Sequence, residues 1–267
     1  MRLIDVGSGA PIVLVPGIQG RWEWTKPAID LLSQRCRVIT FSLADEPTSC
    51  ARFDRSEGFR CYVQQITDAM NAAGIDRAAI CGVSYGGLIA AAFAARHPER
   101  VFALVLVSAL PPSWRPDWKA RFFLSAPWLL FPLFALRSLR MYQEIVTATP
   151  GFVRSLITTR RHAMNVLRYR AHPGRMARRV RLIDGLHIDP GQVDVPTLVV
   201  TGDANLDRIV PVDLTHEYLR MWPRATKATI ERTGHLGLIT RSDEFARVVV
   251  PFVEDAASDR SERRRIG

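Results

Sequence analysis

Apolar residues run through this chain in short blocks, and each block is closed off by glycine or proline. Ile12–Val15, Val38–Phe41, Ala78–Val83, Val101–Val107 and Thr197–Val200 are rich in valine and isoleucine and alternate little with polar residues. Strands covered on both faces of a parallel sheet have this pattern. Between the blocks lie stretches of helical periodicity: Cys61–Ala73, Gly86–Arg96, Val212–Met221 and Ser242–Val253. Strand and helix in alternation predict a layered α/β fold with right-handed crossovers.

The alternation fails between Pro111 and Pro190. That stretch holds Trp114, Trp118 and Trp128, then the run "FFLSAPWLLFPLFALRSLRM", then arginine-rich helical sequence, with no strand signal of weight. The pattern therefore predicts an α/β core over 1–110 and 191–256, with a helical insertion over 111–190 that covers one end of the sheet. The tail over 257–267 is basic and reads as disordered. No internal repeat is found.

At 267 residues and 48% hydrophobic, the chain can bury one sizeable core. No apolar run reaches the length of about 18 residues that a membrane span needs. The opening "MRLIDVGSGAPIVLVPG" lacks the layout of a secretion signal. Cys36, Cys50, Cys61 and Cys81 show neither CxxC pairing nor a disulfide spacing, so reduced thiols in a cytoplasmic protein are expected. The net charge of +10 belongs to one segment. Eleven arginines and one acid, Glu144, lie between Arg137 and Arg181, and the remaining 25 basic and 25 acidic residues cancel. No nucleic-acid motif accompanies this basicity.

The strand Ala78–Val83 leads into "ICGVSYGGLIA", which sets Ser84 between Gly82 and Gly86 at a strand-to-helix turn. In that context G-x-S-x-G points to a nucleophile: a tight, strained turn lifts the hydroxyl clear of the sheet at a helix N-terminus. A glycine-rich turn with an incidental serine is the plainer alternative. A serine hydroxyl needs a base. His97 ends a helix, His162, His172 and His187 fall in the insertion, and His216 sits in a helical pattern. His235, in "TIERTGHLGLITR", stands in a loop after a strand, where open α/β sheets hold their ligands. A base in turn needs a carboxylate to fix its tautomer. "VVTGDANLDRIVP" offers two, Asp203 and Asp207, both between Ser84 and His235 in chain order.

These segments resemble the α/β-hydrolase superfamily, in its serine-nucleophile branch, over nearly the whole chain. The matching stretches are "VLVPGIQG", "GVSYGG", "PTLVVTGDANLDRIVP" and "GHLGLI". The resemblance implies a mostly parallel central sheet flanked by helices, with the insertion as a helical lid. It implies Ser84, Asp207 and His235 as the triad. Counting back from Pro211, as the family's acid loop is spaced, selects Asp207. Counting forward from Gly202 overshoots, because this loop has two extra residues. Asp203 is then a turn-former and stays the reserve acid.

The resemblance also implies an oxyanion hole from the backbone amides of Tyr85 and Ile18. The family usually introduces the second donor with His-Gly. Here Pro16-Gly17 replaces it, which leaves open how the loop is held and whether Gln19 or Trp22 points inward.

The expected activity is a serine hydrolase cleaving a carboxylic ester, thioester or lactone with an apolar portion. Neither a metal nor an organic cofactor is required. The alternatives on the same triad are a carbon–carbon bond hydrolase, an acyltransferase and a cofactor-free haloperoxidase. A non-catalytic ligand-binding protein on the same scaffold is the alternative of a different class. The expected partner is a small apolar acyl or ring-bearing molecule. Arg154, Arg161, Arg168 and Arg175 recur every seven residues, a basic stripe that could meet an anionic membrane if Pro173-Gly174 did not end the helix.

Overall fold

The computed structural model describes residues 1–138, 141–149, 152–169, 171–207 and 209–266. Seven strands alternate with helices: β1 (Leu3–Val6), β2 (Ala10–Val15), α1 (Lys26–Leu32), β3 (Cys36–Phe41), α2 (Arg60–Ala72), β4 (Ala78–Val83), α3 (Tyr85–Arg96) and β5 (Val101–Val107). The next five helices are α4 (Trp118–Ser125), α5 (Pro127–Ser138), α6 (Met141–Ala148), α7 (Phe152–Arg168) and α8 (Pro173–Arg181). The chain then returns through β6 (Thr197–Thr201), α9 (Val212–Thr215), α10 (Glu217–Met221), β7 (Ala225–Thr229), α11 (Gly237–Thr240) and α12 (Ser242–Ile266).

The strands form one sheet in the order β1-β3-β2-β4-β5-β6-β7. Only the pair β1 and β3 is antiparallel. Successive residues of each central strand are buried on opposite faces. Val13, Ile80, Leu104 and Val199 belong to one apolar cluster with α2 and α3. Ile12, Cys81, Val105 and Val200 belong to another with α1 and α12. Both faces are covered, so hydrophobic–polar alternation has no role, and that is why the strands show as continuous apolar runs.

From β2 the chain steps to β3 on one side, and from β4 it steps to β5 on the other. The crevice between the carboxyl ends of β2 and β4 is therefore the switch point of the sheet, where open α/β folds bind their ligands. The loops that matter below all leave carboxyl ends: Pro16–Gly20 after β2, Ser84 after β4, Gly202–Asp207 after β6 and His235 beyond β7.

Two local expectations change. The helix over Val212–Met221 is two short helices that meet at His216. The last helix does not stop at Val253 and give way to a disordered tail; it continues to Ile266 in spite of Pro251. Val249, Val250, Val253 and Ala256 pin it to the sheet on both sides of that proline. Beyond them Ala257, Glu262 and a run of arginines favour continuing a helix already nucleated. The basic stripe is interrupted at Pro173-Gly174, as the sequence leads one to expect: Arg168 ends α7, and Pro173 opens α8 with His172 as its N-cap. The side chains of Arg154 and Arg161, and the whole of Arg140 and Arg170, lie outside the described residues. No described helix is long and apolar enough to cross a membrane.

Phe245 is wholly buried where α12 meets the sheet. Replacing it with alanine is expected to lower the free energy of unfolding by about 3–5 kcal/mol, read from the urea midpoint, because a rigid core does not collapse into the space of a ring.

Candidate active site

Ser84 joins β4 to α3 with φ +53° and ψ −116°, a conformation that strains any residue with a Cβ. Close packing holds it there. A Cβ on Gly82 would overlap the Gly86 carbonyl and stand 2.7 Å from the Ala90 Cβ. A Cβ on Gly86 would lie 2.5 Å from the carbonyl oxygens of Val15 and Pro16, and one on Gly87 would overlap Ala109. The three glycines thus let the elbow sit directly against β2 and the end of β5. Ser84 N donates to Val107 O at 2.8 Å, which continues the sheet to the turn itself. Tyr85 is the first helical residue, so its amide has no partner within the helix. Its ring is buried edge-on against Phe59 and Tyr62.

The β2 loop arrives beside the serine: a Cβ on Gly17 would stand 3.6 Å from the Ser84 Cβ. Gly20 N donates to Gly17 O at 2.8 Å, so residues 17–20 form a β-turn with Ile18 and Gln19 at its centre. Leu43 N donates to Gly20 O at 2.7 Å and fastens the turn to the end of β3. Trp22 packs on the apolar cluster that includes α1 and α12.

Asp207 and His235 meet. Asp207 Oδ2 lies 3.3 Å from His235 Nδ1, with the carboxylate 1% exposed and the imidazole 11% exposed. The other carboxylate oxygen, Oδ1, accepts the backbone amides of Ile209 at 3.0 Å and Val210 at 2.9 Å. One oxygen is fixed by the chain, and the other is left to the ring. Burial opposes the negative charge on Asp207, but the His235 hydrogen bond and charge and these two amides outweigh it and hold its pKa below the usual carboxylate range.

Asp203 has a different task. Its Oδ2 accepts Arg232 N at 2.6 Å, and its own amide donates to Thr233 O at 2.7 Å. It ties the loop after β6 to the loop after β7. The two loops touch through glycine: a Cβ on Gly202 would stand 2.7 Å from the Gly234 Cα, and one on Gly234 would stand 2.6 Å from Asp207 N.

Two charged residues of the helical segment also reach this region, and the sequence reading singled out neither. Glu144 of α6 is 3% exposed; its Oε1 accepts Leu236 N at 2.6 Å and the Thr233 hydroxyl at 3.0 Å. It thus holds the chain on both sides of His235. Burial pushes its carboxyl pKa up, against the amides of Leu236 and Gly234, the Thr233 hydroxyl and the nearby His235, which lower it. Arg179 of α8 is wholly buried and donates to the Ile18 carbonyl of the β2 turn at 2.6 Å. The available signal was the isolation of Glu144, a lone acid among eleven arginines. For Arg179 it was the acid pair Asp45-Glu46 after β3.

Three other histidines are engaged elsewhere. His97 lies at the end of α3 beside Phe93, His172 caps α8, and His216 links α9 to α10. A cavity of about 790 Å³ opens along α2, with Arg52, Asp54, Cys61, Gln65 and His97 in its wall. Ser84, Asp207 and His235 do not line it.

Residues 10–242 match the family model for the alpha/beta hydrolase fold. A 2-hydroxymuconate semialdehyde hydrolase from Pseudomonas sp. strain CF600 is 29% identical, with 96% of this chain and 90% of the relative aligned. A pimeloyl-[acyl-carrier protein] methyl ester esterase from Aliivibrio salmonicida is 25% identical over 93% of this chain and 94% of the relative. Among solved structures, a bromoperoxidase from Bacillus anthracis superposes with a TM-score of 0.75 at 17% identity, covering 94% of each chain, a likeness of fold. A meta-cleavage product hydrolase from Pseudomonas fluorescens IP01 superposes with a TM-score of 0.71 at 26% identity, covering 95% of this chain and 94% of the other. With the sheet order, the elbow and the family match in agreement, the chain belongs to the α/β-hydrolase fold family and is an enzyme of the hydrolase kind.

Proposed function

We propose that the enzyme is a serine hydrolase of a carboxylic ester, thioester or lactone with an apolar portion, working through a Ser84–His235–Asp207 triad. His235 donates Nδ1–H to Asp207 and so presents Nε2 as the base. Ser84 Oγ attacks the carbonyl carbon as His235 takes its proton. The oxyanion that forms is received by the amides of Tyr85 and Ile18. Collapse of the tetrahedral intermediate releases the alcohol or thiol, which carries away the proton from His235. Water then attacks the acyl-serine by the same route, and the carboxylic acid leaves. The observation that carries this reading is the buried Asp207–His235 pair, at the same sheet edge as a serine held at positive φ.

A second reading keeps the triad and changes the bond. Relatives in Pseudomonas are named as a semialdehyde hydrolase and a meta-cleavage product hydrolase, so carbon–carbon cleavage is the alternative chemistry. The helical segment is proposed as a lid over Ser84, supported by the reach of α6 and α8 to the site loops. Its outer face leaves Trp118, Phe122, Trp128 and Leu129 exposed beside Lys119 and Arg121. That combination supports peripheral contact with an anionic membrane.

On p-nitrophenyl esters of increasing acyl length, the native enzyme is expected to turn over and Ser84→Ala to lose about 10⁴-fold or more. No difference between them on any ester would sink the ester reading and bring carbon–carbon cleavage forward. In the same assay Asp207→Asn is expected to lose on the order of 10⁴-fold, whereas Asp203→Asn costs about 1 kcal/mol of stability and little rate. The reverse ranking would make Asp203 the triad acid. Glu144 tests the support of the base. Its raised pKa means that its contribution to stability is complete below the ordinary glutamate range and is lost as pH rises through the folded value. Glu144→Gln, which keeps an acceptor without the charge, should therefore gain stability relative to native as pH rises, as followed by urea unfolding. Cosedimentation with phosphatidylserine vesicles, abolished by Trp118→Ser with Phe122→Ser, checks the membrane contact.

A further inference from the structure

In the loop after β2, proline stands before Gly17 where the family resemblance leads one to expect histidine, and the turn over 17–20 must be held by something else. Its i to i+3 hydrogen bond closes it from within. From outside, Arg179 Nη1 donates to the Ile18 carbonyl at 2.6 Å. The rest of the guanidinium is bound just as firmly. Nε and Nη2 donate to Asp45 Oδ1 at 3.1 and 2.6 Å, and Nη2 donates to Glu46 Oε1 at 2.7 Å. Arg175, one turn earlier on α8, donates Nε to the same Glu46 oxygen at 2.9 Å. Two cations thus face two carboxylates in a cluster whose Arg179, Asp45 and Glu46 side chains are at most 2% exposed.

Contact with the turn is close. A Cβ on Gly20 would overlap the Arg179 guanidinium, and Gly20 has φ +75°. A fixed guanidinium against a turn with no side chain in the way is a rigid strut.

We propose that Arg179 is a positioning residue of the oxyanion hole, holding the turn over 17–20 so that the Ile18 amide faces the carbonyl oxygen bound at Ser84. This rests on the serine-hydrolase reading above. Ile18 is the second residue of a β-turn, so its amide takes no part in the turn's closing bond and is free to point to a ligand. Its carbonyl is the handle on that residue's ψ. Arginine suits the task because its planar fork meets an Asp–Glu pair and a carbonyl together, whereas lysine offers a point charge on a flexible stem. Charge on so buried a group is sustained by its partners: burial opposes it, and Asp45 and Glu46 more than offset the burial, so its pKa lies above the ordinary arginine value.

Two variants test the strut. Arg179→Lys keeps the cation. Arg179→Met with Asp45→Asn removes one charge of each sign and leaves Glu46 paired with Arg175, so the fold need not carry an unpaired acid. Amide hydrogen exchange of the full chain is read at Gly20 and Leu43, whose protecting bonds define the turn, with amides of β4 and β5 as the reference. Exchange at Gly20 and Leu43 is expected to speed up by about tenfold or more in both variants, with the strands unchanged. In the ester assay kcat/KM should fall by about 10²–10³-fold in the double variant and less in Arg179→Lys. The Ki of a trifluoromethyl ketone, which presents an oxyanion to the hole, should rise by the same factor.

Unchanged exchange at Gly20, or faster exchange with native kcat/KM and Ki, overturns the proposal. A fall in rate with equal loosening of the strands overturns it too, since that is general destabilisation. If the native enzyme hydrolyses no ester, the serine-hydrolase reading fails on its own, and the exchange arm still decides whether Arg179 holds the turn.

Discussion

Two backbones pass so close at Gly202 and Gly234 that neither position has room for a Cβ. The candidate site depends on that approach. It lets Asp203 bond to the opposite loop through both its amide and its carboxylate. With the loops joined, the next turn of chain brings Asp207 to His235, with one carboxylate oxygen already held by two amides. Asp203 is thus a brace between the two loops, and residues 204–206 carry the chain from it to Asp207. The elbow follows the same logic: Gly82, Gly86 and Gly87 remove three side chains so that a strained serine can lie against β2.

Much of this was legible in the sequence because it rests on local rules. Runs of Val and Ile between Gly and Pro located β2 to β6 to within two residues at either end, since a strand covered on both faces has to be apolar throughout. The edge strand β1 did not stand out, because Leu3–Val6 is short, carries Asp5 and is only partly buried. Ser84 and His235 were legible from their glycines and their place in the alternation. Asp207 could be picked only through the spacing of a known family, since composition treats both aspartates alike. Glu144 and Arg179 left only compositional hints, a lone acid among arginines and an acid pair after β3, with nothing to say what either touches. Each acts on backbone atoms far away in sequence, 92 residues from Glu144 to Leu236 and 161 from Arg179 to Ile18, and no periodicity records such a bond.

The charge pattern of the helical segment takes on a different meaning once these contacts are known. Its net basicity suggests a single surface property, yet its charges divide by where they point. Arg175 and Arg179 turn inward to Asp45 and Glu46 on the core, and Glu144 turns inward to the loop that carries His235. A charge placed inside is costly unless it is partnered; both arginines have carboxylates, whereas the donors around Glu144 offset only part of its burial.

The energetic consequence is an asymmetry within the segment. Withdrawing α8 would strip Arg179 from two carboxylates and a carbonyl, and breaking a buried pair of this kind costs about 3–5 kcal/mol. Withdrawing α6 would leave the Leu236 amide without its acceptor, at about 1–3 kcal/mol. Helix α4 faces no such penalty: its residues are exposed or half-buried, and Trp118 is 74% exposed. Any rearrangement that admits a substrate is therefore cheapest where α4 moves while α6 and α8 stay. On the proposed lid reading, the helices that shape access and the helices bonded to the candidate site loops are different parts of one segment, and a movement of α4 leaves the bonds to the turn at Ile18 and the loop at His235 in place.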